Sequence, residues 1–246
     1  MTNQKYAIVT GASSGVGGAI ALSLAKSSYF VALTGRNSQA LSSLKSQIDS
    51  AGGSCQIFVA DLSTFDGINN FINEIKSNTK QVDVLINAAA IWHGNDEVFA
   101  GRDFDKFPPQ VVVDTMMVGL MAPTLLCHAF IPLMPSKSKI INISGVFGDL
   151  IKGWTPYFVS KRGIEDLTID LAIELSGKDI QVNAISPNDV ATEPYEKYFP
   201  EYYKDGLDPR DIGHLALYLC SAKSDHVTGK VFVLAKDQPV TEHFHA

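Results

Sequence analysis

Short apolar runs alternate along the chain with longer stretches in which apolar residues recur every three or four positions. The runs at 6–10, 30–34, 55–59, 82–86, 139–143, 181–185 and 230–234 are rich in Val, Ile, Leu and Phe, and each predicts a strand. Between them the spacing predicts helices over 16–27, 38–50, 114–134, 156–175 and 209–220. Phe65, Ile68, Phe71, Ile72 and Ile75 add another at helical spacing, and Pro123 is expected to bend the helix that contains it. Strands apolar on both faces, separated by helices, predict a parallel sheet covered on both sides. The expected fold class is therefore α/β, a single-domain doubly wound parallel sheet of about seven strands. No repeat, low-complexity tract or flexible linker divides residues 1–246. The one irregular insertion, 193–208, carries Tyr195, Tyr198, Phe199, Tyr202 and Tyr203 among acidic residues. It fits either a substrate lid or a subunit contact.

Composition narrows the class without naming a chemistry. Hydrophobic residues make up 46% and charged residues 19%, which excludes disorder. No apolar run reaches the roughly 18–20 residues of a bilayer span, so no membrane partner is expected. A net charge of −6 with no Lys/Arg cluster argues against nucleic acid. Cys55, Cys127 and Cys220 are few and scattered, with no C-x-x-C, and read as reduced thiols of a cytoplasmic protein. The six histidines show no metal-ligand spacing, so no metal is expected; His243 and His245 stand in a tail expected to be mobile.

The chemistry begins directly after the first strand, at Thr10-Gly11-Ala12-Ser13-Ser14-Gly15-Val16-Gly17-Gly18. Between a strand and a helix, glycines permit positive φ and close backbone approach to a phosphate, and the helix N-terminus offers free N–H groups. A tight structural turn gives the same string; the alternating β/α context favours a nucleotide. At the end of the second strand stands Gly35-Arg36-Asn37, with no carboxylate for a ribose 2′-hydroxyl. An arginine there accommodates a 2′-phosphate, so the expected cofactor is NADP(H), although a solvated loop charge reads the same way.

Tyr157 and Lys161 lie four residues apart, on one face of a helix. A tyrosine hydroxyl ionises near pH ~10, and a neighbouring ammonium lowers that value. An isolated pair at this spacing is commonly surface or packing; at the start of the helix after the fifth strand, near the sheet's carboxyl edge where ligands bind, it fits proton transfer at an oxygen.

The T-G-x-x-x-G-x-G spacing resembles the short-chain dehydrogenase/reductase family, and the resemblance runs on in order. Asp61-Leu62 is similar to the family's adenine-contacting pair, and Asn87-Ala88-Ala89-Ala90 to its N-N-A-G. Tyr157 to Lys161 matches Y-x-x-x-K, and Ser186-Pro187-Asn188-Asp189-Val190-Ala191-Thr192 is similar to S-P-G-x-x-x-T. Within the family the chain is similar to 3-oxoacyl-acyl-carrier-protein reductase-like members. The resemblance implies that Gly11, Ser13, Ser14, Gly15, Val16, Gly17, Arg36, Asp61, Leu62, Asn87, Ala88, Pro187, Val190 and Thr192 bind the cofactor with Tyr157 and Lys161. It implies carbonyl–alcohol interconversion by hydride transfer, Tyr157 acting as general acid or base, and a homodimer or homotetramer.

Two positions depart from the family pattern. Ser144 stands thirteen residues before Tyr157, the family's usual spacing for the serine that contacts the substrate oxygen, and is expected to be that catalytic serine because a short loop can re-aim the strand end; strand register instead puts Gly145 there. Met116-Met117-Val118-Gly119 occupies the place of N-x-x-G, so Met116 stands where the family has a catalytic asparagine. Asn188 replaces a glycine, a milder change because asparagine tolerates left-handed backbone. Trp92, Phe147 and Trp154 fall on loops that fit a substrate pocket or ordinary packing equally. Two functions therefore stand open: an NADP(H)-dependent oxidoreductase of carbonyl compounds, or a dinucleotide-binding regulatory or scaffold protein with weakened chemistry.

Overall fold

A computed structural model describes residues 4–13, 15–91, 97–146 and 152–245. Among the described residues eight strands form one sheet: β1 (Tyr6–Val9), β2 (Phe30–Gly35), β3 (Ser54–Val59), β4 (Val84–Asn87), β5 (Lys139–Ile143), β6 (Gln181–Pro187), β7 (Lys230–Leu234) and β8 (Thr241–Glu242). Their spatial order is β3-β2-β1-β4-β5-β6-β7-β8, and every pair is parallel except β7 with β8. The seven expected strands are therefore present. The eighth escapes sequence reading because two polar residues carry no periodicity.

Nine helices connect the described strands: α1 (Gly15–Lys26), α2 (Ser38–Ser50), α3 (Phe65–Asn78), α4 (Pro109–Met116), α5 (Ala122–Phe130), α6 (Thr155–Glu174), α7 (Glu193–Tyr198), α8 (Pro200–Tyr203) and α9 (Pro209–Leu219). Alternation along the strands divides the core in two. Val9, Leu33, Ile86, Ile141 and Ile185 face α1, α2 and α9, while Ile8, Leu85, Ile140 and Val182 face α3 and α5. Both sets are almost wholly buried, which is why these strands read as continuous apolar runs.

The helix expected over 114–134 begins earlier and is interrupted. Met117–Met121 forms one wide π turn between α4 and α5, with the Ala122 N–H donating to Met117 five residues back. Pro123 lacks the N–H that the regular ladder needs, and its ring crowds the carbonyl four residues before it. The bend therefore falls ahead of the proline. The segment Pro109–Leu133 has a mean hydropathy of 1.7 over its most apolar stretch and is long enough to cross a membrane, contrary to the sequence expectation. Its apolar character has a local cause: Val118, Ala122, Leu126, Cys127 and Phe130 are buried against the sheet and α3.

The chain leaves β1 toward one edge of the sheet and returns through β4 toward the other. The segments after these adjacent strands diverge, which opens a crevice at their carboxyl ends. The C-terminal tail is not loose. β8 pairs with β7, and the backbone N–H of His245 donates to Glu165 on α6.

Candidate active site

The crevice is a cleft of about 940 Å³, walled by the glycine loop at one end and by α6, α7 and α8 at the other. At the first end Gly11 and Gly15 take positive φ of 68° and 49°. A Cβ on Gly17 would lie 2.3 Å from the carbonyl oxygen of Gly11, so the turn closes onto the helix only with glycine there. Thr10 ties this loop to the end of β4, its hydroxyl accepting the N–H groups of Ala88 and Ala89 at 3.0 and 3.1 Å. Gly11, Ser13, Gly15, Val16, Gly17 and Ala88 line the cleft together, whereas Ser14 lies outside the described residues.

Arg36, at the end of β2, is exposed at the cleft wall beside Asp61 and Leu62. Burial works against the Asp61 charge, but the Ser63 N–H and hydroxyl donate to its carboxylate and Arg36 lies near, so it ionises below the ordinary range. Pro187, Val190 and Thr192 form the opposite wall, with the Thr192 methyl over Gly15. Asn87 is placed differently. It is buried beneath the cleft floor, donating to Asn142 Oδ1 at 2.8 Å, and Asn142 in turn donates to Thr168 at 2.9 Å. It thus braces β4 to β5 and α6 rather than lining the cleft wall.

At the other end, α6 opens at Thr155-Pro156, where proline suits a first turn that lacks intrahelical acceptors for its N–H groups. Tyr157 and Lys161 follow on the face toward the cleft, and both line it. The Lys161 Nζ donates to the Ile143 carbonyl at 2.6 Å and stands 5.5 Å from the centre of the Tyr157 ring. Burial lowers the Lys161 ammonium to about 8, against the opposing charge of Glu165. Tyr157 moves the other way. Burial, with the Asp189 charge, pushes its hydroxyl up to about 12. The expected lowering by Lys161 is outweighed here, because desolvation disfavours the phenolate and the lysine is tied to a backbone carbonyl. At neutral pH the hydroxyl therefore carries its proton.

Ser144 is buried at the end of β5, and its hydroxyl donates to Glu165 Oε1 at 2.7 Å. Ser144 also lines the cleft, and both acceptors of its hydroxyl, Glu165 Oε1 and the Lys161 carbonyl at 3.2 Å, lie on α6. Gly145, which lines the cleft next to it, brings no hydroxyl. Met116 ends α4, immediately before the π turn. Asn188 does not use left-handed backbone; among the described non-glycine residues only Ser28, Lys137, Asp179, Asp237 and His245 do.

Aromatic side chains enclose the reacting end. Trp154 meets Tyr157 edge-on at 5.9 Å, stacks on Phe158 at 6.1 Å and reaches Phe199 of the insertion at 5.9 Å. Tyr195 and Tyr202 complete this wall. Tyr195 bonds Asp189, and burial with that bond raises its ionisation well above the ordinary tyrosine value. Trp92, His93 and Phe147 lie outside the described residues. Sequence reasoning missed Glu165, Asn142 and Asp189. Only Glu165 left a signal, as the next position after Tyr157 and Lys161 on one helical face. Among the described residues no group of His, Cys, Asp and Glu has the arrangement of a metal site.

Comparison with known proteins identifies the family and the fold. Residues 5–202 match the family model described as short chain dehydrogenase. Over 241 residues the chain is 29% identical to gluconate 5-dehydrogenase of Gluconobacter oxydans, covering 93% of this chain and 92% of that protein. A dehydrogenase/reductase from Sinorhizobium meliloti 1021 superposes with a TM-score of 0.83 at 28% identity, covering 94% of this chain and 93% of the other. A metagenomic short-chain oxidoreductase solved with NADP superposes with a TM-score of 0.76 at 27% identity, over 94% and 95%.

Proposed function

The chain belongs to the short chain dehydrogenase family, and on that premise we propose that it is an NADP(H)-dependent oxidoreductase interconverting a carbonyl compound and an alcohol. One observation carries the reading: a protonated Tyr157 beside a buried Lys161, in the same cleft as a glycine loop and an exposed arginine. The residues present fit the dinucleotide. Gly11, Gly15 and Gly17 leave backbone room for a pyrophosphate at the α1 N-terminus, and Arg36 offers a 2′-phosphate a bidentate donor without a competing carboxylate at its position. Ser13, Asp61, Leu62, Ala88, Pro187, Val190 and Thr192 would line its path. The cofactor, when bound, supplies the hydride that carbonyl reduction requires. The protein supplies the proton: the Tyr157 hydroxyl donates to the oxygen as negative charge develops there, and Lys161 stabilises the phenolate left behind. In the alcohol direction Tyr157 would accept the proton instead, and the Lys161 charge would have to offset the desolvation of the phenolate. Trp154, Phe199 and Tyr195 favour a substrate with an apolar body.

A second reading, a dinucleotide-binding regulatory or scaffold protein, is favoured by three features of the reacting end. The Ser144 proton is committed to Glu165, Gly145 has no hydroxyl, and Met116 offers only a weakly accepting thioether where the family has asparagine. The two separate in one experiment: titration with NADPH and NADH, then a panel of carbonyl compounds followed by NADPH oxidation, with Tyr157→Phe as control. Turnover lost in that variant supports the oxidoreductase. Tight NADPH binding with no Tyr157-dependent turnover across the panel supports the binder. We extend the family reading to a homodimer or homotetramer, for which Val113, Met121, Val159 and Ile173 supply exposed apolar surface along α4 to α6; sedimentation measures it.

A further inference from the structure

Glu165 is a buried carboxylate that the chemistry above does not use. It follows Lys161 by one helical turn, on the face that carries Tyr157. Its two oxygens are held from opposite sides. Oε1 accepts the Ser144 hydroxyl at 2.7 Å, and Oε2 accepts the backbone N–H of His245 at 2.7 Å. The Ser144 oxygen is also 3.2 Å from the Lys161 carbonyl, and Lys161 Nζ donates to the residue before Ser144. A continuous set of contacts thus runs from the C-terminal tail through Glu165 and the end of β5 to the reacting lysine. The tail is seated by further contacts: His245 Nε2 lies 3.3 Å from Asp166, and Arg162 reaches the His245 carbonyl at 3.5 Å. His245 takes a φ of 58°, a conformation costly for a residue with a Cβ, so the docked tail overcomes local strain.

A buried carboxylate whose hydrogen-bond donors are a hydroxyl and an amide is costly unless a cation lies near. Lys161, one turn away on the same helical face, couples to it electrostatically. We propose that Glu165 is a positioning residue of the reacting centre, orienting Ser144 and sustaining the Lys161 ammonium, and that the docked tail holds it there. The proposal rests on the role given above to Lys161. The titratable groups that share the cleft with Lys161 or stand along its helix are Tyr157, Asp189, Arg162, Glu165 and Asp166, with His245 of the tail bonded to Glu165; of these Glu165 accepts the Ser144 hydroxyl. Glu165 also opposes the desolvation that lowers Lys161 to about 8.

The test is a ¹³C-lysine NMR titration of the full-length protein without cofactor, the Lys161 resonance being assigned by its loss in Lys161→Met. Glu165→Gln should move the Lys161 midpoint below about 8 by half a pH unit or more. His245→Pro, which removes the amide and cannot adopt the observed φ, should move it the same way by less. The alkaline limb of kcat should follow in both variants. For a shift of one unit, turnover falls roughly fivefold at the wild-type midpoint and changes little about two units below it. An unchanged midpoint in both variants overturns the proposal, as does a loss of turnover equal at every pH. The titration needs no substrate, so absence of wild-type turnover would refute the proposed function while this coupling is still measured.

Discussion

The two ends of the cleft are built in different ways. The cofactor end is assembled from short segments, each following its own strand: the glycine loop after β1, Arg36 after β2, Asp61 after β3. The backbone does most of the work there, through glycines that no larger residue replaces. The reacting end is assembled from side chains brought together over long sequence separations. Ser144 meets Glu165, Glu165 meets His245, and Lys161 meets Ile143. The first end depends on backbone conformation and on one exposed side chain, Arg36. The second end depends on each partner, because buried polar groups left unpaired are costly.

Substitutions can break this comparison or sharpen it. The largest effect is expected from Tyr157→Phe, which removes the proton donor and should lower kcat by about 10²–10⁴-fold with NADPH affinity nearly kept; equal losses in both would show that the two ends are not separable. Gly17→Ala should act in the opposite sense. Its Cβ meets the Gly11 carbonyl oxygen at 2.3 Å, so NADPH binding should collapse, with about 1–3 kcal/mol lost from stability by denaturant unfolding. Arg36→Ala should raise the Kd for NADPH about 10- to 100-fold and leave that for NADH nearly unchanged. If NADH binds the wild-type protein better than NADPH, the role given to Arg36 is refuted.

A smaller effect is expected from pH. Lys161 loses its positive charge above about 8, so NADPH affinity should weaken above that pH and level off below it. Isothermal titration across pH 6–10 would show the break, and Lys161→Arg should remove it. The smallest is Met116→Asn, which should not lower kcat if the methionine merely stands in for a proton-relay residue. A large loss would mean that the π turn and its neighbours are packed around the thioether.

The pattern of the chain was informative in proportion to how local each feature is. All seven parallel strands and most helix limits were legible from apolar runs and their period. The glycine loop, Arg36 and the Tyr157–Lys161 pair were legible too, because each is a spacing within one element. The π turn was only half visible: Pro123 announced a distortion, but its place and kind depend on how α5 packs. Asn87 matched a motif while its side chain turned beneath the cleft, because a motif fixes position along the chain and not side-chain direction. The tail was misjudged for the same reason. Nothing in His243-Phe244-His245 signals an acceptor, and Glu165 lies 80 residues away from the amide it receives.

What the sequence determined by itself is the α/β class, the strand–turn–helix that shapes a phosphate site, and the helical face shared by Tyr157 and Lys161. These follow from periodicity and backbone sterics, which act between near neighbours. The tertiary structure alone decided how those groups are tuned. Burial set the opposite ionisation shifts of Tyr157 and Lys161, and the meeting of β5, α6 and the tail gave Ser144 to Glu165. Desolvation and long-range hydrogen bonds exist only once distant segments pack, so no local pattern could record them.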